Sequence, residues 1–264
     1  MLAVTESGKG TPLVLLHGWG LHSGVWQSVL PELEKQFHCY AVDMLGHGES
    51  QAALPFSLEN MRVALNQLVD SIDSNNVIVL AWSLGGLVAL DFLSQRNEQT
   101  KKVKQLMLVC SNACFCNKSH WEYGIDTEIL DSFAEQLETD YKKTVDKFLA
   151  LQMFGIDDYK VSLKILKKSV ASRPEPSVNT LSKGLQILKE ADFTNKLNLI
   201  EQTVFMLSGE HDRLMPYQAA ESMAALFKNA QSEMIRGAGH APFISHQKEF
   251  MQLINEFSNG NTDV

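Results

Sequence analysis

Three residues far apart in the chain, Ser83, Asp212 and His240, carry the side-chain types from which a nucleophilic acyl-transfer site is built. A serine hydroxyl attacks poorly until a neutral imidazole takes its proton, and the imidazole needs a carboxylate to fix its tautomer and stabilise the imidazolium. Ser83 lies in "VIVLAWSLGG", residues 77–86, where a short apolar run rich in β-branched residues gives way to the helical spacing of Leu84, Leu87, Val88, Asp91 and Phe92. The turn between them has almost no residues. Such a tight strand-to-helix turn needs small neighbours around the serine, which Ala81-Trp82-Ser83-Leu84-Gly85 supplies, with alanine in place of the first glycine of G-x-S-x-G. An ordinary turn with an N-cap serine has the same local pattern, so the rest of the chain must decide.

Active sites on open α/β sheets gather at the carboxyl ends of the strands. Asp212 follows one apolar run in "GEHDRLMP", and His240 lies in "GAGHAPF" before the last helix. Glu210 competes with Asp212, and His17, His211 and His246 compete with His240. His17 is better suited to orienting its own turn, and His246 opens a helix. In "HGWG", His17 to Gly20, a glycine-flanked turn can aim the Trp19 N–H into a cleft. With the N–H of Leu84 at a helix start, it would make a two-donor oxyanion hole. The segment "DMLGHGES", from Asp43 to Ser50, reads as structural, and no second carboxylate accompanies Asp43 to hold a metal.

Strands are expected at 13–17, 37–42, 77–81, 103–109, 203–208 and 232–235, and helices at 28–36, 58–71, 84–95, 217–227 and 247–257. This alternation indicates right-handed crossovers and a mostly parallel sheet with helices on both faces, an α/β fold. The alternation stops after Val109. Residues 127–138, 141–152, 159–171 and 178–189 read as amphipathic helices, so a helical cap, 117–193, is inserted between core segments 1–116 and 194–264. Arg173-Pro174-Glu175-Pro176 is a stiff break between cap helices.

The 264 residues, 45% hydrophobic, suffice for one large core with an inserted subdomain. No apolar run approaches a bilayer span, and no basic region precedes an apolar stretch at the N-terminus, so a cytoplasmic protein is expected. Cys39, Cys110, Cys114 and Cys116 have no matching pair at zinc spacing and read as free thiols. Neither metal nor cofactor is expected. A net charge of −8 argues against nucleic acid and anionic membranes as partners.

Nearly the whole chain resembles the pimeloyl-acyl-carrier-protein methyl ester carboxylesterases of biotin synthesis, which have the α/β-hydrolase fold. The resemblance rests on "LVLLHGWGL", "WSLGGLVA", "FLALQ" and "HAPFISH". It implies Ser83 as nucleophile, Asp212 and His240 as its partners, and Trp19 and Leu84 as oxyanion donors. The order Ser, Asp, His along the chain agrees with that fold. Phe148 and Gln152, four apart on one helix, can face the site from above. Leu149, Ala150 and Leu151 lie between them, and Trp82, Phe133 and Leu214 are expected walls of an acyl channel. Residues 141–170 hold seven lysines and three aspartates. Lysine clusters are usually solvated faces. Lys143 and Lys147 share one helix face, and Lys160 and Lys164 another, a basic patch that would suit an acidic acyl-carrier protein. A general short-chain esterase, a thioesterase or a carbon–carbon bond hydrolase would use the same triad, and a ligand receptor could retain it. A monomer is expected.

Overall fold

A computed structural model of the chain describes residues 2–52 and 55–260. Met1 and residues 261–264, the outer ends of the two core segments, lie outside the described residues. Among the described residues, seven strands form one sheet: β1 (Ala3–Gly8), β2 (Thr11–Leu16), β3 (Phe37–Asp43), β4 (Val77–Trp82), β5 (Val103–Val109), β6 (Thr203–Gly209) and β7 (Ala230–Ile235). Their order is β1-β3-β2-β4-β5-β6-β7. β1 pairs antiparallel with β3, and every other pairing is parallel. All six residues of β4 are buried, as a central strand covered on both faces requires.

Alternate residues feed opposite faces of the sheet. Leu13, Leu15, Ile78 and Leu80 join one core cluster, while Val14, Leu16, Val79 and Ala81 join the other. The longer helices are α1 (Leu58–Ser71), α2 (Leu84–Ser94), α3 (Thr127–Thr139), α4 (Tyr141–Gln152), α5 (Tyr159–Val170), α6 (Val178–Glu190), α7 (Tyr217–Ala224) and α8 (Gln247–Gly260). Helices α3 to α6 occupy the long connection between β5 and β6, over the carboxyl ends of the strands. Among the described residues, no helix is long and apolar enough to cross a membrane. All four cysteines are buried and free.

Among the described residues, the first helix and the first strand differ from the sequence expectation. The helix expected at 28–36 is a 3-10 segment, Ser23–Ser28, followed by one α-turn, Leu30–Leu33. The His22 imidazole caps the first by accepting the Gly24 N–H, and Pro31 stands in the first turn of the second. Strand β1 was not expected. Its Thr5 and Glu6 are exposed and its pattern is only partly apolar, so pairing with β3, not periodicity, holds it in the sheet.

Candidate active site

Ser83 follows the last residue of β4 and immediately precedes α2, at φ 54 and ψ −122. This is a sparsely populated conformation for a residue with a side chain, and the surroundings must over-determine it. They do so by close approach. A Cβ on Gly85 would stand 2.7 Å from the His17 carbonyl oxygen and 2.8 Å from that of Leu16, and one on Gly86 would overlap the Ser111 side chain. The Ser83 N–H donates to the Val109 carbonyl at 3.1 Å, and the Ser111 hydroxyl donates to the Ser83 carbonyl at 2.8 Å. The serine therefore stands on a turn braced from β5.

The Ser83 hydroxyl donates to His240 Nε2 at 2.9 Å, and His240 Nδ1–H donates to Asp212 Oδ2 at 2.7 Å. Asp212 Oδ1 accepts the N–H groups of Leu214 at 2.8 Å and Met215 at 3.0 Å, which locks the carboxylate plane. All three residues are buried. A serine poised against an imidazole whose other nitrogen is held by a carboxylate can attack an acyl carbonyl and return the proton to the leaving group. The competing candidates lie elsewhere. Glu210 is exposed and accepts the Gly237 N–H, His211 is exposed, and His246 Nδ1 contacts the Ser245 hydroxyl. His17 is buried and accepts the Met44 N–H at 2.9 Å while donating to the Gly18 carbonyl, tying its turn to the end of β3. Burial, with His47 alongside, pushes its pKa down to about 3, so it stays neutral.

The "HGWG" turn lies against the elbow, since a Cβ on Gly18 would stand 3.2 Å from Ser83 Cβ. Leu84 is the first residue of α2, so its N–H is among those with no partner inside the helix. Cys110, Asp212 and His240 each bring one potential ligand atom within 4.8 Å of the others. The histidine and aspartate already spend theirs on each other, and burial raises the Cys110 thiol well above its usual range, which does not suit a thiolate ligand.

Comparison with known proteins agrees with this geometry. Residues 11–247 match the sequence family described as the alpha/beta hydrolase fold. A pimeloyl-[acyl-carrier protein] methyl ester esterase from Nitrosomonas europaea is 36% identical over 252 residues, covering 96% of this chain and 97% of that protein. One from Photobacterium profundum is 38% identical over 250 residues, 95% of each. The chain belongs to the α/β-hydrolase family, among the pimeloyl-acyl-carrier-protein methyl ester esterases. It is a serine hydrolase with a Ser-His-Asp triad. The solved esterase EaEST from Exiguobacterium antarcticum shares the fold, with a TM-score of 0.89 at 21% identity over 98% of this chain and 95% of that one.

Residues outside the triad hold it in place, and the helices between β5 and β6 take part. The His240 N–H donates to the Gln152 carbonyl at the end of α4, and the Trp82 indole N–H donates to the His240 carbonyl at 2.7 Å. Among the described residues, the buried Gln152 Oε1 has no partner. Phe148 packs its ring on Trp19 at 4.5 Å and on Phe133 at 5.4 Å. Leu151 and Leu214 line a common groove, whereas Leu149 packs into the cluster containing Trp82, and Ala150 is half-buried. Lys143, Lys147, Lys160 and Lys164 are exposed on α4 and α5, and none pairs with a carboxylate among the described residues.

Sequence reasoning missed the residues that fasten the insertion down. Arg173, between α5 and α6, pairs with the fully buried Asp43 carboxylate, which also accepts the Ser23 and Glu49 N–H groups. Burial alone would raise that carboxyl, but these hydrogen bonds and the guanidinium hold it at about 2. His22 donates to the Val170 carbonyl and the Trp19 indole to that of Leu181. No local pattern reveals contacts that span 130 residues or more.

Proposed function

We propose that this protein hydrolyses the methyl ester of a pimeloyl chain on acyl-carrier protein, releasing methanol and pimeloyl-carrier protein for biotin synthesis. The observation that carries the reading is the unbroken hydrogen-bond line from Ser83 through His240 to Asp212 at a strained elbow. Its support is a set of relatives, named for this reaction, that align over nearly the full chain. Ser83 Oγ attacks the ester carbonyl as His240 Nε2 takes its proton. The Trp19 and Leu84 N–H groups hold the resulting oxyanion, and each such donor is worth about 3 kcal/mol of barrier. Collapse breaks the bond to the methoxy oxygen, which leaves as methanol with the His240 proton. A water deprotonated by His240 then hydrolyses the acyl-enzyme and restores Ser83.

Trp82, Phe133, Phe148, Leu149, Ala150, Leu151, Gln152 and Leu214 form the acyl channel in this reading. The exposed Lys143, Lys147, Lys160 and Lys164 receive the acidic carrier, and the enzyme works as a cytoplasmic monomer. Intact-mass analysis of methyl-pimeloyl-carrier protein after incubation tests the substrate. A carrier lighter by one CH2 supports it. An unchanged carrier alongside rapid hydrolysis of small free esters would make the enzyme a general esterase.

A further inference from the structure

Beside the triad a groove of about 500 Å³ is lined by Ile125, Ile129, Leu151, Phe154, Leu214 and Arg213. Its apolar walls include two exposed side chains, Ile129 and Phe154, the latter 51% accessible. The groove touches the catalytic centre through its own lining. Leu214 donates its N–H to Asp212, and Leu151 precedes Gln152, whose carbonyl holds the His240 N–H. Ile129 and Phe133 are four apart on α3, and Phe133, Phe148 and Trp19 follow in ring contact. A row of packed apolar side chains thus connects the groove to the turn beside Ser83. Arg213 is the charged member of the lining. Its guanidinium lies over the Phe154 ring at 5.1 Å, and among the described residues it has no hydrogen bond or ion pair.

A planar fork of donors left unpaired at the rim of an apolar groove suits a carbonyl or carboxylate at the end of an aliphatic chain. We infer that Arg213 is a specificity-determining residue that binds the far carbonyl of a two-ended acyl chain whose near ester is presented to Ser83. The aliphatic stretch lies along Leu151, Leu214 and Phe154, and the far carbonyl accepts from the guanidinium without breaking an existing pair. A simple fatty ester meets the same apolar side chains and leaves the fork in water. The inference rests on the reading of Ser83 as the attacking group and adds to it the selection of one end of the substrate by the other.

The test compares small esters, so no carrier protein is involved. Monomethyl pimelate, dimethyl pimelate and methyl heptanoate share the reacting methyl ester and differ at the far end. Arg213→Gln should lower kcat/KM for monomethyl pimelate three- to tenfold, chiefly through KM, as expected for a charge-assisted contact at a solvent-facing site. Dimethyl pimelate should lose about twofold, and methyl heptanoate should be unchanged. Arg213→Lys, which keeps the charge without the fork, should recover part of the loss. Equal losses on all three esters would reduce Arg213 to packing on Phe154 and overturn the inference, as would no loss on monomethyl pimelate. Ser83→Ala run in parallel keeps the two readings apart. Turnover surviving in that variant removes the underlying mechanism, whereas an inactive Ser83→Ala beside an indifferent Arg213→Gln removes only the role of Arg213.

Discussion

Replacing His47 by glutamine should flatten the acid side of the stability curve. His47 is fully buried, donates from Nδ1 to the Leu45 carbonyl at 3.0 Å, and packs edge-on against His17 with ring centroids 5.1 Å apart. Burial pushes its pKa from 6.5 down to about 4. The folded value lies below the unfolded one, so between pH 6.5 and 4 the unfolded chain takes up a proton that the native protein refuses. Stability falls as pH drops through that window. A gap of that size, at about 1.4 kcal/mol per pH unit, amounts to about 2 to 3 kcal/mol by pH 4.5. Glutamine keeps an N–H for the Leu45 carbonyl and does not titrate. Thermal unfolding at pH 7.5 and pH 4.5 should therefore show the wild type losing about 5 °C more than His47→Gln over that interval. Equal losses in the two proteins would refute the assignment of a buried, neutral His47.

Asp212→Asn should preserve the fold and cut kcat by about four orders of magnitude by releasing the His240 tautomer, while Glu210→Gln stays near wild type; steady-state kinetics with a reversed ranking would move the acid to Glu210. Reversing Lys143, Lys147, Lys160 and Lys164 to glutamate should lower kcat/KM on the carrier-bound ester and leave a small ester untouched, with added salt reproducing part of the loss in the wild type. If both substrates are processed at wild-type rates, the lysines are a solvated face. Arg173→Met leaves the Asp43 carboxylate buried without its cation and should cost about 3 kcal/mol, read by urea unfolding; an unchanged midpoint would show that the pair contributes nothing.

The triad was legible because its members follow strand ends, where an α/β sheet must present them, and Ser83 stands between two unmistakable patterns. Helices 58–71 and 141–152 were legible from their periodicity, and the structure adds a cap to each: the side chains of Ser57 and Asp140 accept the N–H groups of Asn60 and Lys143. Strand β1 was not, because an edge strand with exposed Thr5 and Glu6 carries little periodicity. Nor was the 3-10 turn at Ser23–Ser28, whose geometry depends on Asp43, at the end of β3, accepting the Ser23 N–H. The same holds for the bracing of the site. Trp82, Gln152 and Ser111 act on His240 and Ser83 through backbone atoms, and a hydrogen bond to a carbonyl leaves no mark on residue type.

Covalent labelling of the nucleophile tests the central claim most directly. A fluorophosphonate reacts only with a serine activated by a neighbouring base, and its adduct is located by peptide mass mapping. In the wild type the label should sit on Ser83 alone and abolish ester hydrolysis in step with occupancy, and Ser83→Ala should take up none. Label on another serine, or undiminished turnover in a fully labelled enzyme, would contradict the account.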